Sequence, residues 1–93
     1  MTEKRILTLH PQGKRGVNIT RQKYNAMRAA IIDTLAAGDM THTDLVSGVE
    51  QRLAGGFDGS IKWYLETVKL DLEAREIIQR VPKTRPQLLR LIA

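Results

Sequence analysis

The sequence predicts a mostly helical α+β domain, with three helices set between an N-terminal β-arm and a C-terminal β-hairpin. Three observations predict it. Apolar residues recur at helical spacing in three separate segments, each preceded by a Thr, Ser or Asp suited to capping a helix. Two short apolar runs near the C-terminus flank a turn with proline at both ends, the pattern of a hairpin. The chain has 93 residues, 42% of them apolar, which is the length of one domain at an ordinary globular composition. The expected division is an arm over 1–19, a three-helix core over 20–75 and a hairpin over 76–93.

The elements follow in order. Arg5-Ile6-Leu7-Thr8-Leu9 and Val17-Asn18-Ile19 are short apolar pieces on either side of a glycine-containing turn, His10 to Gly16. They read as a hairpin or as extended arms. Thr20 suits a helix N-cap, and Tyr24, Met27, Ile31 and Leu35 then repeat at helical spacing, predicting a first helix over 21–37 that is apolar around most of its girth and therefore central. Gly38 suits the residue just past its end. Met40-Thr41 reads as a short extended piece. Thr41 with Asp44 resembles a capping box, and Leu45, Val46, Val49 and Leu53 define a second helix over 42–54. Gly48 in its middle costs about 1 kcal/mol relative to alanine, which points to close approach of another helix. Gly55-Gly56 ends it. Asp58 or Ser60 caps a third helix, with Ile61, Leu65, Val68 and Leu72 as its inward stripe and an end near Ala74 or Arg75. Residues 77–81 and 88–92 read as strands around the Pro82–Pro86 turn.

Composition excludes several classes. There is no cysteine, so no disulfide scaffold, thiolate metal site or cysteine nucleophile is available, and a reducing compartment suits the chain. No apolar run reaches the ~18 residues of a membrane span, and the N-terminal apolar stretch is too short for a signal peptide. A cytoplasmic location is the expectation. His10 and His42 are the two histidines, far apart and without a carboxylate pattern beside them, so neither metal nor cofactor is expected. Gly13-Lys14 lacks the rest of a phosphate-binding loop. Ser47 and Ser60 suit helix surface and cap. No nucleophile–base–orienter set stands out, so no enzyme is expected.

Charge is uneven. The net value is +5, but residues 1–28 carry +6, residues 29–79 carry −5 and residues 80–93 carry +4. Basic ends of this kind attract polyanions, although many basic surfaces are simply solvated.

The segment from Thr41 to Ile92 resembles winged helix-turn-helix proteins. The Thr-His-Thr-Asp-Leu start of the second helix looks like theirs, and residues 70–81 look like their run from recognition helix into wing. In many relatives a glycine stands where Glu76 stands here. The whole chain also resembles a family of short bacterial proteins of unknown function. That resemblance rests on His10-Pro11-x-Gly13-Lys14-x-Gly16-Val17, on Gly59-Ser60-x-x-Trp63-Tyr64 and on Val68-Lys69-Leu70-Asp71-Leu72-Glu73-Ala74-Arg75. It implies a fold and no established activity.

The winged-helix resemblance implies duplex DNA as partner. A recognition helix over 60–75 would enter the major groove and a wing over 82–87 would meet a neighbouring phosphate. The expected contacts are Lys62, Thr67 and Lys69 on the helix, Lys83, Thr84 and Arg85 on the wing, and Arg80 at its base. Lys14 and Arg15 in the arm turn offer a second phosphate contact. About five counterions released would give a slope of log K against log salt near −4 to −5.

A different reading arises from the helix itself. Opposite its inward stripe lie Trp63 and Leu70, and residues 60–76 sum to −1. An exposed Trp–Leu stripe on a helix of slightly negative charge suits a protein contact, with the arm or with a second copy in a homodimer. The expected function is thus a small DNA-binding protein of the kind that regulates transcription. The alternative is a winged-helix module for protein interaction or dimerisation without DNA.

Overall fold

The computed structural model describes residues 4–92; the remaining positions of the expected arm and hairpin, 1–3 and 93, lie outside the described residues. The fold is a small α+β arrangement of three helices and two small sheets. In chain order the elements are β1 (Arg5–Leu7), β2 (Asn18–Thr20), α1 (Arg21–Leu35), β3 (Met40–Thr41), α2 (His42–Leu53), α3 (Ile61–Ala74), β4 (Ile78–Val81) and β5 (Leu88–Leu91). Among the described residues no helix is long and apolar enough to cross a membrane.

Each helix starts at a side-chain oxygen. Thr20 Oγ1 accepts from the Lys23 amide at 3.4 Å, Thr41 Oγ1 from the Asp44 amide at 3.1 Å, and Ser60 Oγ from the Trp63 amide at 3.2 Å. Such caps are each worth about 1 kcal/mol. Ser60, not Asp58, therefore opens α3. The first helix stops at Leu35 rather than at 37. Its last turn tightens, because the amides of Ala37 and Gly38 bond three residues back, to Thr34 and Leu35 carbonyls at 3.3 and 3.0 Å, and this satisfies carbonyls that further α-helix would have used. The third helix ends as expected, in a Schellman turn: the Ile77 amide donates to the Leu72 carbonyl at 2.9 Å and the Glu76 amide to the Glu73 carbonyl at 3.1 Å. Glu76 takes the left-handed conformation, φ 61°, at the position where glycine was expected from resemblance, at a cost of about 1 kcal/mol.

The strands form antiparallel pairs. β1 and β2 make a hairpin in which Ile6 faces Ile19, so the arm is a hairpin rather than an extended tail. The short extended piece Met40–Thr41 is a strand, because it pairs with β5: Met40 faces Leu89 and Thr41 faces Leu88. β5 pairs on its other side with β4, giving the order β3-β5-β4. The two hairpin strands are slightly shorter than the expected 77–81 and 88–92. Ile77 instead bridges the helix end and the hairpin base, since its carbonyl accepts from the Ile92 amide at 2.9 Å.

The core lies between the three helices and the inner face of the larger sheet. Met27, Ile31 and Leu35 of α1 meet Leu45 and Val49 of α2, Leu65, Val68 and Leu72 of α3, and Ile78 and Leu89 of the sheet. Each such side chain contributes roughly 1.5–3 kcal/mol by leaving water. Ile61, the first residue of the inward stripe, is half-buried. Gly48 has its physical reason in α1: a Cβ there would stand 2.5 Å from Thr34 Cγ2. Thr34 cannot turn away freely, since its hydroxyl donates to the Ala30 carbonyl at 2.7 Å and accepts from Arg52 Nε at 2.9 Å.

Candidate nucleic-acid interface

The basic residues expected at the interface divide into those with carboxylate partners and those without. Lys69 belongs to the first group. Expected on an accessible face, it is 5% exposed, and its Nζ lies 3.5 Å from both Glu66 Oε1 and Glu73 Oε2. Its position lies beside the inward stripe, so the aliphatic stem is covered while two carboxylates of its own helix face the charge. Arg80 is exposed at its end, but its Nε donates to Glu73 Oε1 at 2.7 Å, which raises the guanidinium pKa further. Glu73 thus holds Lys69 on its own helix and joins α3 to β4 through Arg80. On the central strand β5, Arg90 forks onto Asp39 just before β3, with Nη2 2.7 Å from Oδ2, and that hydrogen bonding holds the Asp39 carboxyl below its usual range.

The wing turn, 82–87, is built by Thr84. Its hydroxyl donates to the Val81 carbonyl at 2.9 Å and accepts from the Leu88 amide at 2.9 Å. Its hydroxyl proton is engaged inside the turn. Gln87 adds a bond from Nε2 to the same carbonyl at 2.7 Å. Lys83 is held at φ 62°. Lys83 and Arg85 are exposed and make no ion pair among the described residues.

Lys62 stands in the first turn of α3, exposed, beside His42, Thr43 and Ser47 from the start of α2. The β3–β5 pairing sets the wing near this same place, because Thr41 at the α2 cap faces Leu88 at the foot of the wing turn. His42 Nε2 lies 3.1 Å from Glu66 Oε2, tying α2 to the middle of α3. Lys62, the α2 N-terminus and the wing foot therefore share one side of the molecule.

The outer face of α3 carries Trp63, Thr67, Leu70 and Ala74, with no charge. Trp63 is 47% exposed and meets Tyr64 edge to face at 4.8 Å. Tyr64 in turn meets Phe57 at 5.2 Å. Leu70 and Thr67 are half-buried, so the expected exposed Trp–Leu stripe reduces to Trp63 with a partly covered continuation.

The arm hairpin docks on α3 through Asp71, a residue that the sequence reading did not single out. Asp71 is 0% exposed. It accepts from the Leu9 amide at 2.8 Å, from Arg75 Nε at 2.9 Å, and from the Tyr24 hydroxyl. Arg75 at i+4 was the readable part of this cluster; Leu9 and Tyr24 lie far off in sequence, and no local pattern reports them. The turn from His10 to Gly16 then stands over Glu73, Ala74 and Glu76 at the α3 C-terminus. Lys14 and Arg15 in it are exposed and make no ion pair among the described residues.

Burial, the hydrogen bond to Asp71 and the nearby carboxylate charge push the Tyr24 hydroxyl from its ordinary value of 10.0 up to about 12. A phenol whose folded pKa is raised stabilises the fold fully below its unfolded pKa. Stability is therefore expected to fall as the pH rises from about 10 towards 12, by at most ~3 kcal/mol. Urea midpoints measured between neutral and alkaline pH check this. Tyr24→Phe removes that part of the alkaline loss; parallel curves for the two proteins count against the assignment.

No curated protein matches the chain, and no solved structure does. A model of the family described as "Family of unknown function (DUF6958)" matches residues 5–89. That span includes the arm hairpin, all three helices and both hairpin strands up to Leu89, and on it the chain belongs to this family of unknown function.

Proposed function

We propose that this protein is a winged helix-turn-helix module that binds duplex DNA, with α3 as the recognition helix and the β4–β5 hairpin as the wing. The element order after the arm, helix–strand–helix–helix–strand–strand, and the sheet order β3-β5-β4 support this arrangement. One observation carries the DNA reading. The wing turn presents Lys83 and Arg85 to solvent without a carboxylate partner among the described residues, on the side where Lys62 opens α3. Lys69 and Arg80, by contrast, face Glu66 and Glu73 across ion pairs. The contacts are therefore phosphate contacts, which position a protein on a duplex without reading its sequence.

Fluorescence anisotropy with a labelled mixed-sequence duplex between ~50 and ~200 mM salt tests this reading. Micromolar or tighter binding is expected. Lys83→Ala with Arg85→Ala is expected to flatten the slope of log K against log salt by about 1.8, as two released counterions predict. An unchanged slope in that variant, or no binding at the lowest salt, counts against it.

A second reading is favoured by Trp63. A half-exposed tryptophan on an uncharged helix face suits a protein contact, with a second copy or another protein. Sedimentation of the parent and of Trp63→Ala tests it. A parent that remains a monomer at high concentration removes the homodimer.

A further inference from the structure

We infer that α3 reads thymine: Trp63, on the open first two turns of the helix, covers the 5-methyl groups of thymines in the major groove. This inference rests on the DNA-binding reading. It adds a base contact to the phosphate contacts and assigns Trp63 to the duplex rather than to a protein.

Only part of α3 is free to enter a groove. Its exposed residues are Lys62, Trp63 and Glu66, all in the first two turns. Beyond them the helix is covered. Lys69, Asp71 and Leu72 are buried. At the C-terminus the arm turn and β4 close over Glu73 and Glu76, since Pro11 and Gln12 line one cavity there with Ile78, Gln79 and Arg80. The open N-terminal end shares its side of the molecule with the α2 start and the wing foot. Lys62, Lys83 and Arg85 on that side make no ion pair among the described residues. A recognition helix seated by its N-terminal end brings its first turns to the base edges.

What those turns offer a base edge is apolar. Guanine is read by paired hydrogen bonds from arginine or lysine, and adenine by asparagine or glutamine. Residues 61–74 contain no arginine, asparagine or glutamine. Of the two lysines, Lys69 is buried between Glu66 and Glu73, and Lys62 lies at the flank towards α2, beside His42 and Thr43, where it serves the phosphate backbone. A carboxylate is the reader of cytosine, and Glu66 is the exposed one, but its two oxygens are engaged, Oε1 by Lys69 at 3.5 Å and Oε2 by His42 at 3.1 Å. Trp63 remains. Its ring is half-exposed and set edge to face against Tyr64, which is set in turn against Phe57. Leu70, two turns on and half-buried, continues the apolar surface. Thymine is the base that presents a methyl group in the major groove, and apolar side chains read it by contact. Covering one methyl group is worth about fourfold in Kd.

Trp63 is the one tryptophan of the chain, so its emission reports on this face directly. The experiment uses the full chain and two labelled duplexes of one A·T-rich sequence, the first with thymine and the second with uracil at every thymine. Uracil lacks the methyl group and keeps the hydrogen-bonding edge. By anisotropy the thymine duplex is expected to bind about fourfold more tightly, or better where Trp63 covers more than one methyl group. Trp63 is expected to be less open to acrylamide quenching in the saturated complex than in the free protein. Trp63→Ala is expected to bind both duplexes equally, at the level of the uracil duplex. The first two measurements need no substitution and decide the matter even where that variant folds poorly. Equal, salt-dependent binding of the two duplexes by the parent overturns thymine reading and leaves the DNA reading standing. So does a preference that survives in Trp63→Ala, or a tryptophan equally open to acrylamide in free and bound protein. A parent that binds neither duplex at ~50 mM salt overturns both readings.

Discussion

Replacing Asp71 with alanine is expected to lower the unfolding free energy by about 2–5 kcal/mol. The substitution removes the acceptor of three donors at once: the Leu9 amide, the Tyr24 hydroxyl and Arg75 Nε. Two of these belong to buried or part-buried hydrogen bonds over long sequence separations, and each donor left without a partner costs about 1–3 kcal/mol. The Arg75 guanidinium is exposed and returns to water, so the two donors left without an acceptor are the larger part of the loss. A chain of this length has roughly 5–14 kcal/mol in total, so the variant approaches the threshold of folding. Urea denaturation measures the loss. Hydrogen exchange at the Leu9 amide locates it: in a variant that still folds, this amide is expected to exchange far faster than the core amides of α1. Asp71→Asn retains one acceptor and is expected to lose less. A loss under ~1 kcal/mol for the alanine variant would show that water replaces the carboxylate without penalty, against the role given to it here.

Gly16→Ala is expected to cost about 2–3 kcal/mol or more, through a different route. A Cβ at this position would stand 1.6 Å from the Thr8 carbonyl oxygen and 2.6 Å from its carbon. Those are backbone atoms, so no rotamer change relieves the clash. The two strands must separate, and both bonds between Thr8 and Val17 are lost with them. The glycine is needed here for space between two backbones rather than for an unusual φ. A circular-dichroism melt checks this. An unchanged melting temperature would mean that the hairpin accommodates the methyl group by a shift the structure does not contain.

Much of the fold was legible because it is local. Thr20, Thr41 and Ser60 each cap the helix that follows by a bond to an amide three residues on, and that chemistry lies within a few positions of sequence. The 4-3-4 spacing of Ile61, Leu65, Val68 and Leu72 reported the inward face of α3, since helical geometry alone sets which residues share a side. Gly48 reported a close approach, and the prolines at 82 and 86 reported a turn. The choice between Asp58 and Ser60, and the end of α1, were decided by hydrogen bonds that composition does not weigh. Met40–Thr41 looked like a mere connection; its partner, β5, is nearly fifty residues away, and pairing over that separation leaves no periodic trace in a two-residue strand.

The candidate site was legible in part for the same reason. Sequence alone determined which residues are cationic, that they gather at the two ends of the chain, and that α3 is slightly acidic. Only the tertiary structure decided which cations are paired with carboxylates. Glu73 pairs with Lys69 and Arg80, Asp39 pairs with Arg90, and Thr84 closes the wing turn. Lys14, Arg15, Lys62, Lys83 and Arg85 remain exposed and without ion pairs among the described residues. The physical reason is range. Caps, turns and helical faces arise from neighbours along the chain, whereas charge pairing and burial depend on which surfaces the fold brings together, as when Asp71 fastens a hairpin from the N-terminus to a helix sixty residues on.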